Sequence, residues 1–169
     1  MPNWCEGIMK VRGTKEQIKN FLENGCVLQA NWGGIELSTK DLVIFDDAYP
    51  DEMYLDLPVN QTDMNLWIKG THRHFFENLE DYAEQWCGFD HYSDGRGIWM
   101  CNFKAAWVIN PLELLDVCKE YGIDMRIYAY ERGVQFEQEM CIENGELVID
   151  RSIGYDDYKW ESANPTLGG

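Results

Sequence analysis

Asn144-Gly145 sits between two runs of alternating apolar and polar residues, and no other feature restricts the fold of this chain so tightly. A two-residue turn that matches strand twist needs positive φ at both positions, which Asn and Gly adopt at least cost. The pair predicts a hairpin between strands Val134–Glu143 and Glu146–Arg151. Arg132-Gly133 predicts a second hairpin, joining Asp124–Glu131 to the first of these strands.

Counting outward from two-residue loops fixes the pairs. Ile142 faces Leu147, Cys141 faces Val148, Met140 faces Ile149 and Glu139 faces Asp150. Across the other turn Ala129 faces Phe136, Tyr128 faces Glu137 and Arg126 faces Glu139. One side then collects Ile127, Ala129, Phe136, Met140, Ile142, Leu147 and Ile149, an apolar core face. The other collects Arg126, Tyr128, Tyr130, Glu137, Glu139, Glu143, Glu146 and Asp150. Like charges directly opposite one another cost roughly 0.2–1 kcal/mol per pair. Glu143 with Glu146 and Glu139 with Asp150 are two such pairs, so the sequence predicts an acidic face with Tyr128 and Tyr130 as anchors for a partner. The plain alternative is a solvated face that resists aggregation.

Upstream, Trp4–Arg12 alternates and ends at Gly13, a first strand. Thr14 and Gln17 have capping-box spacing for a helix that Gly25 stops. Short apolar runs at Ile35–Leu37, Leu42–Phe45, Met53–Leu57 and Leu66–Ile68 read as strands. Phe75, Leu79, Tyr82, Ala83 and Trp86 recur near helical spacing behind Thr71, predicting a second helix. A polar loop, Gly88–Gly97, precedes a strand at Ile98–Phe103. Asn110-Pro111-Leu112-Glu113 starts another helix, with Asn as N-cap and Glu reaching back. Its apolar face is Leu112, Leu115 and Cys118 with Leu114 and Tyr121, and Gly122 closes it. Residues 1–160 therefore read as one α+β domain with an insertion at about 45–97, followed by a loose tail at 161–169.

With 14 basic and 30 acidic residues the net charge is −16. Such a chain repels nucleic acid and anionic membranes and favours a basic partner. No apolar run reaches the length of a membrane span, and the polar start predicts no signal peptide. Six cysteines without C-x-x-C spacing point to reduced, buried thiols in a cytoplasmic protein. Asn60-Gln61-Thr62 has the form of a glycosylation acceptor that such a protein does not use.

Catalytic signals are sparse. His72, His74 and His91, with Asp90 or Asp94, supply the ligand types of a metal site, but an H-x-H pair on a helix points its rings apart. Cys5 or Cys87 as a nucleophile needs an adjacent base, and His91 is near Cys87 in sequence. The three histidines and the 88–97 loop carry the alternative of a small metal-dependent enzyme. No phosphate loop, nucleophile elbow or dinucleotide fingerprint is present, and no cofactor is expected.

The opening Met1-Pro2-Asn3-Trp4-Cys5, the helix from Thr14, Phe103-x-x-Ala106-Trp107, Pro111, Tyr121-Gly122 and Tyr130-Glu131-x-Gly133-x-x-Phe136 together resemble a family of phage and plasmid proteins with a ferredoxin-like domain, whose members are mostly uncharacterised. The resemblance covers residues 1–25 and 98–150. It implies a mobile-element origin and a βαββαβ core, with helices packed on one face of an antiparallel sheet, and it implies no activity. Origin and charge together lead to the expectation of a non-enzymatic protein that binds and inhibits a basic, nucleic-acid-handling host defence protein. The concrete form is an anti-CRISPR acting as a nucleic-acid mimic. A third reading is an accessory domain whose surface charge has no specific role.

Overall fold

A computed structural model describes residues 3–30, 36–58 and 64–154. The start of the expected strand at Ile35, the tripeptide Asn60-Gln61-Thr62 and the tail at 161–169 lie outside the described residues. The elements in chain order are β1 (Trp4–Gly13), α1 (Lys15–Asn24), β2 (Cys26–Ala30), β3 (Glu36–Leu37), β4 (Val43–Asp46), β5 (Tyr49–Leu55), β6 (Met64–Ile68) and β7 (His74–Glu77). After a short 3₁₀ turn at Leu79–Tyr82 come β8 (Glu84–Trp86), β9 (Gly97–Ala106), α2 (Pro111–Tyr121), β10 (Asp124–Glu131), β11 (Phe136–Glu143) and β12 (Glu146–Gly154).

Nine strands form one antiparallel sheet in the order β12-β11-β10-β1-β9-β7-β6-β2-β3, and β4-β5-β8 form a second, three-stranded sheet. The fold is α+β and mostly sheet. β9 and β10, joined by α2, flank β1, and α1 carries the chain from β1 across three intervening strands to β2. Alternation sends Met9, Val11, Trp99, Phe103, Met125 and Ile127 to one side, where they are buried with Ile18, Phe21 and Leu22 of α1 and Leu114, Val117 and Cys118 of α2. Val43, Met53 and Leu55 bring the small sheet into the same core. Lys19 of α1 donates to the Val43 carbonyl and Glu23 accepts the Val43 amide.

Local signals form as their chemistry dictates. Thr14 and Gln17 make both halves of the capping box. Asn110 Oδ1 accepts the amides of Leu112 and Glu113. Asn144 and Gly145 have φ of 52° and 72°, and Glu143 pairs with Glu146 across them.

Five expectations are corrected. The segment behind Thr71 is not a helix. Phe75 and Phe76 are both buried, on opposite faces of a strand, and Arg73 and Asn78 with positive φ bracket it. In α2, Leu112 is 65% exposed and Val117 takes the buried position. Glu113 does not reach back, and its carboxylate accepts the His72 amide instead. The β10–β11 loop spans four residues because the buried Glu131 carboxylate accepts the amides of Gly133 and Val134. The register moves by two, to Tyr130 opposite Glu137 and Tyr128 opposite Glu139, which preserves the faces. On β12 a bulge at Val148 shifts the pairing by one. Cys141 then faces Ile149, Met140 faces Asp150 and Glu139 faces Arg151. A one-residue slip flips every side chain beyond it.

Candidate functional site

Among the described residues, the large sheet has no helix packed on one of its sides. At its β6–β7 end that side is closed by aromatics: Trp67 lies 4.5 Å and Trp4 5.3 Å from Phe75, ring centre to ring centre, with Arg73 over Trp4. Towards β12 lie the residues that the sequence assigned to a partner. Tyr128 and Tyr130 stand together, with ring centres 5.5 Å apart. Glu137 is only 2% exposed, and its carboxylate accepts the Tyr128 hydroxyl at 2.6 Å. Glu139 lies 3.3 Å from Arg126 and opposite Arg151. Glu143 lies 3.7 Å from Arg12 and keeps Glu146 as its like-charged neighbour. Asp150 is on the other face, moved there by the bulge at Val148. Lys10, Arg12, Lys104 and Arg126 project among these carboxylates, and Lys104 bridges Glu6 at 2.7 Å and Glu77 at 3.2 Å. The predicted acidic face is therefore a mixed one.

Negative charge gathers elsewhere, on the small sheet. Residues 41–58 carry Asp41, Asp46, Asp47, Asp51, Glu52 and Asp56, and residues 77–95 carry Glu80, Asp81, Glu84, Asp90 and Asp94 besides Glu77 of β7, which Lys104 answers. Neither segment holds a lysine or arginine. β5 pairs with β4 on one side and β8 on the other, which sets Ile44 beside Tyr54, Tyr54 beside Glu84, and Glu52 beside Trp86 on the outward face. Met53 and Leu55 alternate inward. Trp86 is 57% exposed and meets the His91 ring at 5.6 Å, which in turn meets Tyr92 at 5.3 Å. Ile44, Tyr49 and Tyr92 are exposed as well. The Tyr54 hydroxyl donates to Glu52, and that bond pushes its pKa up to about 12. Asp51 Oδ1 accepts the Asp90 amide and ties the polar loop to β5. The Gln85 side chain hydrogen-bonds both the amide and the carbonyl of Met100, which anchors β8 to β9. The surface thus combines exposed carboxylates with protruding aromatic rings on a paired backbone.

The catalytic candidates do not converge. Among the described residues no group of three or more His, Cys, Asp and Glu is arranged to hold a metal ion. His74 is buried; its Nδ1 pairs with the His72 carbonyl at 2.9 Å and its Nε2 accepts the Asn110 amide at 3.0 Å. It locks the start of α2. All six cysteines are free and buried, and burial pushes the thiols of Cys5 and Cys87 up to about 12, far from a nucleophilic thiolate. No described helix is long and apolar enough to cross a membrane. Compared with known protein families, with curated proteins and with solved structures, the chain matches none of them.

His74 gives a pH dependence. Burial lowers its pKa, against the opposing pull of the His72 carbonyl and the Glu113 carboxylate. Above about pH 6.5 both folded and unfolded chains hold a neutral imidazole, and its contribution to stability is complete. As the pH falls below that value the unfolded chain takes up a proton that the folded chain resists, so stability drops. His74→Gln keeps an acceptor for Asn110 and does not titrate. It is expected to reduce the loss of unfolding free energy between about pH 7 and 5, read by urea denaturation. An undiminished loss in the variant contradicts this role.

Proposed function

We propose that this chain is a non-enzymatic inhibitor, of phage or other mobile-element origin, that docks on a basic, nucleic-acid-handling host protein in the host cytoplasm. Its carboxylates take the place of nucleic-acid phosphates against Lys and Arg, and inhibition of a CRISPR effector is the concrete form. The observation that carries the reading is the small sheet with its flanking loops, two segments without a lysine or arginine, where Ile44, Tyr49, Trp86 and Tyr92 are exposed, Glu52 is the cross-strand neighbour of Trp86, and Asp47, Glu84 and Asp90 are exposed. Exposed aromatics of this kind anchor interfaces, while surrounding charge sets encounter rate and specificity. The docking surface is thereby assigned to β4, β5, β8 and the 88–97 loop rather than to the terminal meander. The large sheet reads as an elaborated ferredoxin-like core, in which β1-α1-β2 and β9-α2-β10 are the two βαβ units and the β6–β7 hairpin stands between β9 and β2.

The test is capture from host lysate on the immobilised chain. A basic nucleic-acid-binding protein is expected to be retained at about 50 mM salt and released by about 500 mM, because exposed ion pairs are screened over that range. Retention that does not change with salt, or capture of acidic proteins only, contradicts the proposal.

A further inference from the structure

On the open side of the large sheet, Lys10 of β1 and Arg126 of β10 are direct cross-strand partners, with Arg12 two residues along the same strand. Like charges placed opposite each other on a sheet repel, and a chain with 30 acidic and 14 basic residues has no shortage of carboxylates for one of those positions. Lys10 has no ion-pair partner among the described residues. Arg126 reaches Glu139 at 3.3 Å with its own side chain 61% exposed. Arg12 is already turned to Asp124 at 2.6 Å, with Glu143 at 3.7 Å, so those two carboxylates answer Arg12, Glu139 answers Arg126, and Lys10 faces Arg126 with no ion-pair carboxylate of its own among the described residues. The pair stands in a groove of about 620 Å³, whose other walls include Ile8, 47% exposed, Ile98 and Tyr128. That volume suits a small organic ligand, and an apolar wall with a few convergent charges is the usual make-up of such a site.

We propose that the groove binds a small organic anion. Its single phosphate or carboxylate sits between Lys10 and Arg126, and its flat apolar body lies on Ile8, Ile98 and Tyr128. The site is separate from the acidic small sheet and does not depend on it.

The test is a calorimetric titration at low salt with adenosine 5′-monophosphate, 4-phenylbutyrate and inorganic phosphate. One of the two organic anions is expected to saturate a single site, the tighter one showing whether the head is phosphate or carboxylate. Inorganic phosphate is expected to bind at least about tenfold more weakly. Lys10→Glu is expected to weaken the organic anion at least about tenfold, and to raise the Tm of the unliganded protein by replacing a like-charged pair with an opposite one. That rise shows that the variant is folded. The proposal is overturned if neither organic anion saturates, if inorganic phosphate binds as well as they do, or if Lys10→Glu leaves affinity unchanged.

Discussion

Asp124→Ala is expected to remove about 3 kcal/mol of stability, at the lower end of what breaking a buried ion pair costs, and to lower Tm by about 10 °C in a chain of this size. The carboxylate is 6% exposed and serves four groups. Oδ2 accepts Arg12 Nε at 2.9 Å and Arg12 Nη2 at 2.6 Å, and Arg96 Nη2 lies 2.8 Å away. Oδ1 accepts the Asn144 amide at 2.8 Å. One side chain thus joins the end of β1, the polar loop, the start of β10 and the β11–β12 turn. Removing it strands the Arg96 guanidinium and leaves Arg12 only the more distant Glu143, and a buried charge that loses its partner is costlier than the pair was favourable. The Arg12 side chain is 40% exposed and finds water, which keeps the figure from the top of the range. Asp124→Asn keeps an acceptor for Asn144 but not the charge, and is expected to fall between wild type and Ala. Urea denaturation of both variants measures it. A loss below about 1 kcal/mol for the Ala variant, the size of an exposed ion pair, contradicts the clamp.

What could be read from the sequence follows from the range of each interaction. The Thr14–Gln17 box, the Asn110-Pro111 start and the Asn144-Gly145 turn are settled within three or four residues, and each forms as its residues require. The β10–β11 loop defeats counting because Glu131 folds back onto two loop amides, which a rule for two-residue turns does not contain. The bulge at Val148 is equally silent: Leu147 and Ile149 have the two-residue spacing of a regular strand, and the slip carries Asp150 away from Glu139 and puts Arg151 there. Phe75, Leu79, Tyr82, Ala83 and Trp86 fit helical spacing by coincidence, whereas Phe75 and Phe76 each pack against a different side of the sheet. Strand order is non-local, and nothing near β6 or β7 announces that they stand between β9 and β2.

The site divides in the same way. Net charge and the wealth of aromatics are properties of composition and are visible at once. Position is not. Tyr128 and Tyr130 do share an open face, but Glu137 is buried beneath a tyrosine hydroxyl and Glu139 is answered by Arg126 and Arg151, so this face is not the acidic one. A usable signal was present in the absence of any lysine or arginine from residues 41–58 and 77–95. It acquires meaning only when β5 and β8, about thirty residues apart in the chain, pair and place Glu52 beside Trp86 and Tyr54 beside Glu84.

Two sets of neutralising substitutions of equal charge locate the binding surface. Asp47, Glu84 and Asp90 are exposed on or beside the small sheet. Changing them to Asn, Gln and Asn is expected to alter stability by no more than about 0.5 kcal/mol. Each carboxylate facing a basic partner contributes roughly 0.7 kcal/mol at low salt, so the triple variant is expected to lose about 2 kcal/mol of binding, about thirtyfold in Kd. Glu139→Gln, Glu143→Gln and Glu146→Gln remove the same charge from the meander face and are expected to leave Kd within about threefold, the long-range share alone. The deciding measurement is the Kd of the captured partner for the parent and both triple variants at one low salt concentration. A large loss confined to the Asp47, Glu84 and Asp90 variant is the predicted result. A loss confined to the Glu139, Glu143 and Glu146 variant, or equal losses in both, contradicts the assignment of binding to the small sheet.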